Sequence, residues 1–123
     1  MKQQRKRSEI IQDFLDLIKD CESKYPFAVD NIKKSEQATQ DLLHTIELDA
    51  DYKERCRAAT TLSNVRKDRR YYKDLKEETE ILVNFKSQNT KAINTLKQCL
   101  GEMRRVEKYH EGRHYYPRII KEE

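Results

Sequence analysis

The chain has 123 residues and a formal net charge of +4, with 39% charged and 36% hydrophobic side chains. That is one domain's worth of protein, with about a third of its residues able to enter a core. The longest apolar run is far short of the roughly 20 residues that a bilayer-crossing helix needs. Only two glycines and two prolines punctuate the sequence, while apolar residues recur every three or four positions. This spacing predicts long amphipathic helices.

The basic start, Lys2 to Arg7, has no apolar signal core after it, and this points to a cytoplasmic protein. Ser8 is a good N-cap, so the first helix is expected from there to about Ser23, with Ile10, Phe14, Leu17, Ile18, Cys21 and Tyr25 as its stripe. Glu9, Asp13, Asp16 and Asp20 fall on the opposite face. Pro26 predicts a break, or the first turn of a second helix. That second helix would carry Val29, Ile32, Leu42, Leu43 and Ile46, with a polar gap around Ser35–Gln40.

Leu48 to Asp51 reads as a connector in which Asp51 caps a third helix and Glu54 returns the bond, as in a capping box. The third helix is expected from Tyr52 to about Phe85. Its seam is Cys56, Ala59, Leu62, Val65, Tyr72, Leu75, Leu82 and Phe85. Ser87 to Thr90 is either a cap for a fourth helix or part of a continuous one. Ile93, Leu96, Leu100 and Met103 then give the cleanest helical spacing in the chain, with Cys99 and Val106 flanking. Gly112 is placed to end that helix, with Lys108 in its last turn. Pro117 disfavours helix in the tail that follows. Three cysteines, Cys21, Cys56 and Cys99, lie on or beside the stripes and are expected as buried, reduced thiols.

Charge is unevenly distributed. Residues 8–50 hold four lysines against ten carboxylates, whereas residues 61–76 hold six basic groups against Asp68 and Asp74. Opposite signs on different helices favour antiparallel pairing within one molecule or between subunits. Arg66, Arg69, Arg70, Lys73 and Lys76 share an arc of roughly 120° on an ideal helix, interleaved with Tyr71 and Tyr72. Such a stripe can track phosphates while a tyrosine stacks on a base. The favoured expectation, though, is that these side chains pair with the acidic first half of the chain and with Asp74 or Glu77 one turn along.

Metal and catalytic patterns are weak. Asp41-x-x-His44 and Glu107-x-x-His110 have the spacing of di-iron helical carboxylate proteins, but Asp41 and His44 point away from their stripe. No two cysteines have zinc-ligand spacing. No phosphate loop, nucleophile elbow or HExxH is present, so neither an enzyme nor a cofactor is expected. The tail offers Arg113, Tyr115, Tyr116 and Arg118, and tyrosine and arginine dominate interface hot spots. These four are the candidate partner-binding residues. The alternative is a tail folded back on its own bundle.

Four short motifs, Arg69-Arg70-x-x-Lys73-Asp74, Phe85-Lys86-Ser87, Leu100-Gly101-x-x-Arg104 and Arg113-x-Tyr115-x-Pro117-Arg118, carry a resemblance across residues 60–120. In them the chain resembles small helical proteins encoded in the early regions of phages and prophages of Gram-positive bacteria. That family carries no assigned activity, so the resemblance transfers no residue roles. It implies a setting inside the host cell, where small non-enzymatic phage proteins bind and redirect or block host proteins, defence nucleases among them.

The expected fold is therefore all-α, an elongated antiparallel helical hairpin or bundle with coiled-coil packing and a short extended C-terminal tail. Its parts are a basic N-terminal tail (1–7), a helical domain (8–112) and the tail (113–123). The expected function is a non-enzymatic protein-binding module, an inhibitor or modulator of a host or defence protein. Self-association is expected because a lone hairpin buries little apolar surface. Nucleic-acid binding through the basic face is the alternative, and no membrane partner is expected.

Overall fold

The computed structural model describes residues 4–48 and 51–114. Three helices make up 92% of them, and no strand occurs among them. They are α1 (Arg7–Glu47), α2 (Tyr52–Gln88) and α3 (Thr90–Glu111). The fold is an all-α hairpin bundle in which α1 packs extensively on α2. Two compact units divide the chain. Residues 16–88 form one, and residues 1–15 with 89–123 form the other.

In the larger unit the two helices run antiparallel. Contacts Glu22–Lys86 (2.7 Å), Phe27–Tyr72 (5.8 Å between ring centroids) and Glu36–Arg69 (3.3 Å) advance along α1 as they retreat along α2. Buried and half-buried positions on α1 repeat in sevens as Ile18, Cys21, Tyr25, Ala28, Ile32, Ser35, Thr39, Leu42 and Ile46. On α2 the matching series is Ala58, Leu62, Val65, Arg69, Tyr72, Lys76, Thr79, Val83 and Lys86. Alternating steps of three and four are the signature of coiled-coil packing. Ala28 is fully buried and Ile18 nearly so, but no large side chain among the described residues is fully enclosed. The seam is thin.

Polar residues fill part of this seam, and the two threonines have a local solution. Thr39 Oγ1 donates to the Ser35 carbonyl and Thr79 Oγ1 to the Leu75 carbonyl, both at 2.8 Å. A hydroxyl bonded back to residue i−4 can enter a core without an unmet donor. Arg69 and Lys86 lay their stems along the seam and carry their charges out to Glu36 and Glu22. The polar gap around Ser35–Gln40 is thus part of the interface, with Ser35 buried in it.

Several boundaries differ from those read in the sequence. The first two expected helices are one: α1 passes through Pro26 without interruption. The apolar series on both sides of Pro26 lies in one register against α2, and that packing outweighs the lost hydrogen bond to Glu22. Ser8 is not a cap. The helix begins at Arg7, and the Ser8 side chain is buried. Ala28 and Ala58 take inward positions expected for Val29 and Ala59, while Ile10, Phe14, Leu17, Leu43, Cys56 and Phe85 are exposed. Of the three thiols only Cys21 is buried, and burial pushes its pKa up. Packing between helices, not apolar character along one helix, decides which neighbour turns inward.

Other expectations hold. Asp51 Oδ1 accepts the Glu54 amide at 2.8 Å, capping α2, but the return bond from Glu54 that would complete a capping box is absent among the described residues. Asn89, at φ −130° and ψ 34°, separates α2 from α3. Gly112 ends α3, and its amide bonds the Lys108 carbonyl at 3.1 Å. It does so at φ −90°, so the left-handed freedom of glycine is not used there.

Candidate functional site

In the smaller unit the opening turns of α1 lie antiparallel to α3. Ile93 and Leu100 are buried with Leu15, and Leu96, Met103 and Ile11 are half-buried around them. A row of polar contacts sets the register. Gln12 accepts from Arg104 at 2.8 Å, the Ser8 hydroxyl donates to Glu107, and Lys6 pairs with Glu111. Lys6 holds the Glu111 carboxyl below its ordinary pKa, by hydrogen bonding first and by charge second. Arg5 is tied to Asp13 and Glu9. Glu107 stands at a seam position of α3. One of its oxygens takes the Ser8 bond, and the other is buried with no hydrogen bond.

Beside this row runs an open groove of about 840 Å³, whose lining includes apolar Ile10, Met103 and Val106 together with Arg7, Glu102 and His110, besides Arg5, Lys6 and Glu107 of the row itself. Cys99 also lines it. Ile10 is 56% and Val106 52% exposed, with Tyr109 still more open beyond them. Sequence reasoning placed Ile10 and Phe14 in the core. The signal against that is the doubling of apolar residues along α1, as Ile10-Ile11, Phe14-Leu15 and Leu17-Ile18. Adjacent residues stand about 100° apart on a helix, so one seam cannot hold both. The second member of each pair turns inward, and the first is exposed.

The sequence-derived candidates separate in space. Among the basic residues of α2, Arg69 turns inward to Glu36, with its Nε buried and without a hydrogen bond. Lys76 is half-buried. Arg66, Arg70 and Lys73 are exposed, and no ion pair holds them among the described residues. Tyr71 is exposed beside them and meets the Tyr72 ring edge-on at 5.2 Å. Internal pairing therefore accounts for Arg69 but not for Arg66, Arg70, Lys73 or Lys76.

The acidic row divides as well: Glu9 and Asp13 meet Arg5, and Asp20 meets Lys24 at 3.4 Å. Asp41 and His44 are exposed, whereas Glu107 is half-buried. No group of three or more His, Cys, Asp or Glu side chains is placed to hold a metal among the described residues. Arg113 is exposed, its amide 3.4 Å from the His110 carbonyl. Tyr115, Tyr116 and Arg118, and with them the expected extended tail, lie outside the described residues.

No helix among the described residues is long and apolar enough to cross a membrane. No protein-family model, curated protein or solved structure matches the chain.

Proposed function

We propose that this chain is a non-enzymatic protein-binding module that works inside a host cell as a phage-encoded inhibitor or modulator of a host or defence protein. One observation carries the binding reading. Seven hydrophobic residues are buried among those described, while thirteen large ones, from Ile10 to Tyr109, remain exposed. The part of that surface that is contiguous, in the groove lined by Ile10, Met103 and Val106, is the kind a protein partner covers. The phage setting comes from the sequence resemblance alone. Arg113, Tyr115, Tyr116 and Arg118 are the proposed hot-spot residues of the tail, because tyrosine and arginine give large contact area that tolerates water when unbound.

The test is affinity capture from nuclease-treated lysate of a Gram-positive host. The full chain should retain a protein in stoichiometric amount. Deleting residues 113–123 should reduce that retention while helix content by circular dichroism stays nearly intact. No protein retained by the full chain, or retention that vanishes with nuclease, refutes the reading.

A second reading rests on Arg66, Arg70 and Lys73, which follow one another at steps of four and three and are exposed without ion pairs. Three such cations with Tyr71 beside them fit a nucleic-acid backbone and a stacked base. A mobility-shift assay decides it. Binding that weakens steeply with salt and is lost in a triple alanine variant supports this reading, and no shift at low salt removes it.

A further inference from the structure

The groove of the smaller unit carries charges that match its own copy. We propose that a second copy of this chain docks in it about a two-fold axis, so that Arg7 of each copy meets Glu102 of the other. The proposal rests on the reading of the chain as a protein-binding module and names the occupant of one of its surfaces.

The register fixes the geometry. With Ser8 beside Glu107 and Gln12 beside Arg104, Ile10 stands level with Val106. Arg7 lies three residues from that level along α1. Glu102 lies four residues from it along α3, in the opposite direction because the helices are antiparallel. At 1.5 Å per residue each charge stands about 5 Å to one side of the Ile10–Val106 level. An axis through that level brings Arg7 of each copy to the height of Glu102 of the other and lays Ile10 and Val106 against their own copies. A closed two-fold contact requires such a self-complementary patch.

The charges are also available. Arg5 and Lys6 are spent on Asp13 and Glu111, whereas no ion pair holds Arg7 or Glu102 among the described residues. Arg7 occupies the first turn of α1, where the helix dipole disfavours a cation and favours a nearby carboxylate. An apolar centre inside a charged rim is the ordinary anatomy of an interface.

Sedimentation equilibrium of the purified chain at micromolar concentration tests this. The expected mass is twice 14.8 kDa. Arg7→Glu and Glu102→Arg should each weaken the dimer by about threefold to thirtyfold, since two symmetry-related exposed pairs become repulsive. The double variant Arg7→Glu/Glu102→Arg restores the pairs in reverse and should recover most of the loss. Val106→Glu should give a monomer with its helical signal retained. A monomeric parent chain overturns the proposal, as does a dimer that none of these substitutions weakens, or a double variant no better than the singles. A monomer that still captures a host protein sinks this inference alone. A dimer that captures none sinks the host-partner reading and leaves the dimer standing.

Discussion

Replacing Pro26 with alanine tests the continuity of α1 directly. Pro26 lies deep inside the 41-residue α1, and its ring is exposed. In that position it removes the amide that would bond the Glu22 carbonyl and crowds the preceding turn. An interior proline costs about 3 kcal/mol relative to alanine. Proline also stiffens the unfolded chain, an effect worth about 0.4–1 kcal/mol that the substitution forfeits. The net expectation is stabilisation by about 2 kcal/mol. With a urea dependence of about 1–3 kcal/mol per molar, the unfolding midpoint followed by far-ultraviolet circular dichroism should rise by roughly 1 M. The slope should stay unchanged. Had Pro26 opened a second helix, its missing amide would cost nothing there and its fixed φ would help. Alanine would then leave the midpoint unchanged or lower it, and that result refutes a continuous α1.

Three further outcomes follow from burial and local space. Leu100→Asp places a charge at a site only 4% exposed and should destabilise the fold by more than about 3 kcal/mol. Ile81→Asp, at an exposed position on α2, should change unfolding by less than about 0.5 kcal/mol. Equal effects of the two substitutions on the denaturation midpoint would show the core misplaced. Gly101→Ala should stabilise by about 0.8–1 kcal/mol, since an added Cβ meets nothing within 4 Å, and a lowered melting temperature would contradict that open space. In native protein a disulfide reagent should modify Cys56 and Cys99 quickly and Cys21 slowly, because Cys21 is buried and its thiol pKa raised. Three equal rates would contradict the seam that encloses Cys21.

The sequence by itself determined the helical class, the Asp51 cap, the end of α3 at Gly112 and the seam Ile93-Leu96-Leu100-Met103. Each is local: a spacing, a capping side chain or a glycine acts within a turn or two of its own helix. Only the tertiary structure decided that α1 runs through Pro26, because the register that outweighs the proline lies on α2. It also decided which of two adjacent apolar residues faces inward, so that Ala28 is buried beside exposed Val29, and Leu15 beside exposed Phe14. The basic stripe shows the same division. Its residue types and arc were legible along one helix, but Glu36 on the neighbouring helix is what draws Arg69 out of it. The groove at Ile10 and Val106 was hidden in the sequence for the same reason. Its exposure is set by which side of each helix turns towards the other, and a one-dimensional pattern does not carry that facing.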